Sequence, residues 1–200
     1  TNLESPYNSK ILLIVAESWG EFKNKEIQKE ILNNILVQKN DFTSLSTGSF
    51  QAIGATVDGE LRELCGLTIL NNGFALNKIE KEAFSQCLPN KLKKIGYNTV
   101  AMHGTSGLLY ERKDWYVKAG FNHIVFGENL IGLKRCIPFK GVCDTELMRM
   151  VADTFKENIS SNLLLYWMTL TSHQPYAQED IHNLRFNCRM YELNPKGDAC

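Results

Sequence analysis

Ser9-Lys10-Ile11-Leu12-Leu13-Ile14-Val15-Ala16-Glu17 is the stretch whose reading decides the fold. Its apolar residues run without alternation, and several are β-branched. A run this short and apolar on both faces reads as a covered strand, Ser9–Ala16. Leu163–Thr169 has the same character, and Asn98–Met102 and His123–Phe126 are shorter versions of it. Between these runs the period becomes helical. Glu26–Gln38 places Ile27, Ile31 and Ile35 on one face, and Val57–Leu67 does the same with Leu61, Leu64 and Cys65. Glu82–Ile95 reads as an amphipathic helix, interrupted or started near Pro89 and stopped by Gly96. Asp144–Asn158 is another, with Asp144 as N-cap and Leu147, Val151 and Phe155 inward. Asp41–Ala55, rich in Ser, Thr and Gly, reads as a loop. Strands alternating with helices predict an α/β fold with a largely parallel sheet.

Composition narrows the function classes. The 200 residues are 44% hydrophobic and 22% charged, which suits one globular domain over 1–200 or a large piece of a bigger one. The 22 basic and 22 acidic residues cancel, so no basic excess exists to neutralise a nucleic-acid backbone. No apolar run approaches the roughly 18–20 residues that cross a bilayer. The chain opens at Thr1 with no signal peptide, which reads as excision from a longer protein. A monomer is expected.

An even count of six cysteines points to disulfides and an oxidising compartment. Cys136 and Cys143 bracket a segment with Pro138 and Gly141, which lets a short loop close. Cys188 and Cys200 flank a polar stretch with Pro195 and Gly197, which leaves Cys65 with Cys87. Locality guides this pairing, and six free thiols or a zinc site are the alternatives. No Cys-x-x-Cys spacing supports zinc.

In open α/β sheets, ligands bind beyond the carboxyl ends of the strands. Strand Ile11–Ala16 ends at Glu17, Asn98–Met102 ends at His103, and Leu163–Thr169 ends just before His173. Thr56 follows Gly54-Ala55 and opens a helix, beside backbone N–H groups that suit a phosphate. Each residue has an ordinary reading: a solvated carboxylate, a helix N-cap threonine, two hydrogen-bonded histidines. Their convergence on one sheet edge is what marks a candidate site.

The local strings add a resemblance. Ile14-Val-Ala-Glu17-Ser-Trp-Gly20 resembles the first metal-ligand motif of the sulfatase-like branch of the alkaline phosphatase superfamily. Gly54-Ala-Thr56-Val-Asp-Gly-Glu60-Leu-Arg-Glu-Leu-Cys-Gly66 resembles its nucleophile segment. Gly96–Gly104 with Tyr110-Glu-Arg112, and then Tyr116–Phe121, resemble substrate-pocket segments, and Leu170-Thr-Ser-His173-Gln-Pro175-Tyr176 resembles a late Ser/Asn-His-x-Pro motif. Five strings in the same order over Ile11–Tyr176 are far more specific than any one. The chain looks most like the lipoteichoic acid synthase and phosphoglycerol transferase group, with lipid A phosphoethanolamine transferases as near relatives. Cys136…Cys143-Asp144 is similar to a disulfide loop of the latter.

The resemblance implies a three-layer, alkaline-phosphatase-like sandwich, incomplete at its C-terminus. It implies a divalent metal (zinc, manganese or magnesium) on Glu17 and Thr56, with Thr56 as nucleophile. It implies phosphate or headgroup contacts from His103, Arg112 and His173, and a pocket aromatic at Tyr110. The expected partners are a phospholipid headgroup donor and a glycan or lipid acceptor. The expected place is the bacterial inner membrane, through an anchor outside this chain, with the catalytic domain on the periplasmic or extracellular side. Two departures stand out. The family's remaining metal ligands, an Asp-His pair, have no match; the sole later histidine is His182, two residues after Asp180. No Cys/Ser-x-Pro-x-Arg segment surrounds Thr56 or Cys65, which favours phosphotransfer over sulfate-ester hydrolysis. A hydrolase of the same fold and a non-catalytic envelope-binding module are the competing functions.

Overall fold

The computed structural model describes residues 8–69, 75–175, 177 and 180. Four strands form one sheet: β1 (Lys10–Val15), β2 (Asn98–His103), β3 (His123–Phe126) and β4 (Leu163–Met168). Their order is β1-β4-β2-β3, and every pairing is parallel. Met168 lies opposite both Val15 and His103, so β1, β4 and β2 end level at one carboxyl edge.

The helices are α1 (Lys25–Leu36), α2 (Thr56–Cys65), α3 (Leu88–Lys94), α4 (Arg112–Ala119) and α5 (Asp144–Glu157). Alternation along β4 sends Leu164, Tyr166 and Met168 to one core, with Val57, Leu61 and Leu64 of α2, Leu92 of α3 and Trp115 and Tyr116 of α4. Leu163, Leu165 and Trp167 point the other way, onto Leu147 and Val151 of α5. The sheet thus lies between two helical layers, the expected α/β/α sandwich. Asn24 caps α1 by accepting from the N–H groups of Glu26 and Ile27. Gly66 ends α2 in a left-handed conformation (φ 66°) that a side chain would strain.

Four expectations need correction. The stretch Ser9–Ala16 is covered on one face only: Ile11, Leu13 and Val15 face the core, while Leu12 and Ile14 are about half exposed, because β1 is an edge strand. Glu82–Ile95 is two pieces, a 3-10 turn Lys81–Phe84 and then α3, since Pro89 favours a helix start over a helix interior. Asp144 is the first residue of α5 rather than its cap. Cys143 holds the extended cap conformation, and the Asp144 carboxylate accepts instead from the N–H groups of Leu170 and Thr171 beyond β4. Helix α4 was not expected at all. Its buried face is Arg112, Trp115, Tyr116 and Ala119, and an arginine at the head of an apolar stripe conceals the helical period.

Two of the proposed disulfides form. Cys65–Cys87 ties the end of α2 to the cap of α3, and Cys136–Cys143 closes a loop between β3 and α5. Neither pair is then free to bind zinc. The Cys188–Cys200 pairing and His182 lie outside the described residues. Among the described residues, no helix is long and apolar enough to cross a membrane.

Candidate active site

Glu17 leaves the end of β1 and is 3% exposed. The Thr56 hydroxyl donates to Glu17 Oε1 at 2.8 Å, across 39 residues of chain. Thr56 is therefore no N-cap: that position belongs to Ala55, and the threonine side chain turns away from its own helix. Local sequence produces this. Asp58 accepts from the Ala55 N–H at 2.7 Å, and Gly54 (φ 97°) passes so close that a Cβ would lie 2.5 Å from the Asp58 carboxylate. The helix start is fixed with Thr56 facing the sheet edge, at the positive end of the helix dipole.

Glu17 is held from the β4 side too. Its N–H donates to Thr169 Oγ1 at 3.1 Å, and Ser172 donates to its carbonyl at 2.5 Å. Its other carboxylate oxygen, Oε2, is buried without a partner among the described residues. Burial pushes the Glu17 carboxyl above the ordinary carboxylate range, opposed by the Thr56 hydrogen bond and the nearby charge of Arg112. An orphaned buried carboxylate oxygen beside a hydroxyl is a donor set that a hard divalent cation satisfies.

His103 ends β2 and is fully buried. Its Nδ1 lies 3.1 Å from the Met168 carbonyl, which can only accept, so the ring hydrogen sits on Nδ1. Nε2 is left as a lone pair with no partner among the described residues. Burial, reinforced by the Arg112 charge, holds this imidazole neutral, with its pKa lowered to about 3. The Nδ1–H of His173 likewise donates to the Gln174 carbonyl at 2.5 Å.

Arg112 opens α4 with no exposed surface. One edge of its fork, Nε and Nη2, grips the carboxylate of Glu60 at 2.8 Å, a residue of α2 that is equally buried. The hydroxyls of Tyr116 and Tyr166 (the latter at 3.0 Å) donate to the other oxygen of Glu60. Burial opposes the charge on Arg112, but Glu60 more than compensates, and the guanidinium stays protonated well above the usual range. Among the described residues, Nη1 has no partner. One edge of the guanidinium expected to meet a phosphate or headgroup is thus taken by Glu60, and Nη1 is what remains to meet a ligand. Tyr110 lies against Arg112, with the guanidinium carbon 5.1 Å from its ring centroid.

The structure therefore brings Glu17, Thr56, His103, Arg112 and His173 to one edge, with Tyr110 backing Arg112. Glu60 was missed as a functional residue. Its signal was present: it shares a helical face with Val57, Leu61 and Leu64, and a carboxylate in an apolar stripe requires a buried cation.

The geometry is thus that of an α/β/α sandwich with a threonine hydroxyl held on a buried carboxylate at the strand ends. By comparison with known families, residues 9–187 match the profile described as Sulfatase, and the chain belongs to that family. Among solved structures, the fold is similar to the lipoteichoic acid synthase LtaP of Listeria monocytogenes, with a TM-score of 0.66 at 15% identity over 96% of this chain and 47% of that one. It is also similar to a protein in the alkaline phosphatase superfamily from Vibrio parahaemolyticus (TM-score 0.63, 19% identity, 92% and 46% covered). A third likeness is the phosphoglycerol transferase GacH of Streptococcus pyogenes, solved with sn-glycerol-1-phosphate (TM-score 0.59, 17% identity, 90% and 50% covered). The chain spans about half the length of these three proteins. A comparison with curated proteins returned no match.

Proposed function

We propose that this chain carries the nucleophile half of a metal-dependent phosphotransferase site. It moves a phosphoglycerol or phosphoethanolamine headgroup from a phospholipid to a hydroxyl of a cell-envelope glycan or lipid. The observation that carries the reading is the 2.8 Å hydrogen bond from Thr56 Oγ1 to Glu17 Oε1, beside the orphaned Oε2. The fold shared with LtaP and GacH supports the substrate class.

Glu17 and Thr56 are the residues that would hold the divalent cation, zinc, manganese or magnesium. That cation, when bound, lowers the pKa of the threonine hydroxyl and offsets charge on the phosphate. With its proton on Glu17, Thr56 Oγ1 presents its lone pairs to an incoming phosphorus. The Oγ1–P bond forms as the P–O bond to diacylglycerol breaks, and the departing oxygen takes up the proton that Glu17 received from Thr56. The acceptor hydroxyl then attacks the same phosphorus, the Oγ1–P bond breaks, and the acceptor's proton passes through Glu17 to restore the hydroxyl of Thr56. Arg112 Nη1 donates to a non-bridging oxygen, and the α2 amino end adds its dipole. The neutral His103 offers Nε2 only as an acceptor, which suits a headgroup hydroxyl and not a phosphate oxygen. His173 lies close to Glu17, at the open side of the site. In this reading the enzyme works on the outer side of the bacterial inner membrane, at the surface that holds its donor.

Product analysis with a headgroup-labelled phospholipid and a polyol or glycan acceptor tests this. Label on the acceptor supports transfer; free headgroup alone supports hydrolysis; full activity in Thr56→Ala sinks the nucleophile assignment.

A further inference from the structure

The loop between β3 and α5 carries two adjacent non-glycine residues in the left-handed region, Phe139 (φ 51°) and Lys140 (φ 49°). Such a backbone is strained for a bulky residue and persists only where its surroundings hold it. Core burial does not account for it here, since Phe139 is 49% exposed. What the conformation achieves is a contact: the Phe139 ring lies 4.7 Å from the His173 imidazole, tilted at 56°.

The rest of the loop is a frame for that contact. Cys136–Cys143 closes it covalently, and the Cys136 N–H donates to the Gly141 carbonyl at 2.8 Å. Asp180 accepts from the Ile137 N–H at 2.7 Å. The Val142 N–H donates to the Gly104 carbonyl at 2.8 Å, one residue past His103. A Cβ on Gly141 would come within 2.2 Å of Leu170 and 2.8 Å of the Gly104 carbonyl, so the loop is seated directly on the ends of β2 and β4. Asp144, next to the second cysteine, holds the Leu170 and Thr171 N–H groups that lead into His173. One cross-linked loop is thus bonded to the backbone behind both histidines, and its exposed tip ends on one of them.

We infer that Phe139 is a positioning residue: it fixes the ring plane of His173 so that Nε2 faces the Glu17–Thr56 cleft, and it walls that side of the cleft from water. Its effect on turnover rests on the transferase reading above; its effect on the imidazole does not.

Two readouts separate these. The chain has four histidines, so the ring signal of His173 is assignable by NMR through His173→Gln. In Phe139→Ala and Phe139→Leu the His173 Cε1–H signal moves and broadens, and in Phe139→Tyr it stays near the wild-type position. In the labelled-phospholipid assay, Phe139→Ala loses about three- to tenfold in kcat/KM, mainly in kcat, as expected from an aromatic contact. Phe139→Tyr restores it, whereas Phe139→Leu, which keeps an apolar side chain but no ring, does not. Unfolding midpoints of the Leu and Tyr variants are expected to match. A His173 signal unchanged in both Phe139→Ala and Phe139→Leu overturns the proposal whatever the activity. An inactive wild type whose His173 signal responds as predicted would contradict the transferase reading and leave the positioning role supported.

Discussion

Glu60 and Arg112 show how a single buried pair shapes this site. Both are fully buried, and the carboxylate is shared with two tyrosine hydroxyls. Removing one partner strands the other charge in the core. Glu60→Leu is expected to cost about 3–5 kcal/mol in urea unfolding. Adding Arg112→Leu to it should recover part of that loss, because no buried charge is left; losses that simply add would contradict the pairing. The pair was legible only in half. Arg112 stood out through its resemblance to a pocket segment, whereas Glu60 sat unremarked inside a stripe of apolar residues. Glu17 was more legible, since a carboxylate directly after a strand-sized apolar run lies at a ligand-binding edge. Its role is open to measurement: Glu17→Gln should bind markedly less zinc or manganese in equilibrium dialysis, and unchanged occupancy would remove it from the metal site.

The elements that hold the site are fixed by short local devices. The Cys65–Cys87 disulfide, 22 residues apart in sequence, joins α2 to the start of α3 and so steadies the helix whose first residue is Thr56. By the chain-entropy argument, replacing both cysteines with alanine should lower stability by about 3 kcal/mol, read as a shift in the urea midpoint without loss of fold. No shift would mean that the unfolded chain is already restricted there. At this scale the strands were read to within a residue or two, because continuous apolar runs have few other uses. Helix α4 was missed and Asp144 misplaced for the same reason. Both put a charged side chain where pattern reading expects a surface or a cap, and in both it serves a long-range bond instead. Locality was enough for Cys136–Cys143, where Pro138 and Gly141 lie between the partners, whereas Cys65–Cys87 followed only as the pair left over.

For the whole molecule, parallel strand order gathers side chains from β1, β2, β4 and α2 at one edge, and this makes the site more than its separate motifs. It also makes stability depend on pH. His103 is neutral in the folded protein, with a pKa lowered from 6.5 to about 3. The unfolded chain takes up a proton as pH falls through 6.5, and the folded one does not until about 3, so His103 contributes stability above 6.5 that is lost on acidification through this window. Within it, wild type should lose stability more steeply than His103→Asn by up to about 1.4 kcal/mol per pH unit; parallel profiles would mean that His103 is charged in the fold. The order of motifs was readable from sequence and so was the α/β class, but the one-sided burial of β1 was not, because nothing in an apolar run says which strand lies at the edge. The central claim is that Thr56 becomes covalently loaded. The direct measurement is peptide mapping by mass spectrometry, after incubating the protein with divalent metal and headgroup-labelled phosphatidylglycerol without acceptor. One glycerophosphoryl group is expected on the peptide bearing Thr56, absent in Thr56→Ala. Release of diacylglycerol with Thr56 unmodified, or equal labelling of the alanine variant, would contradict it.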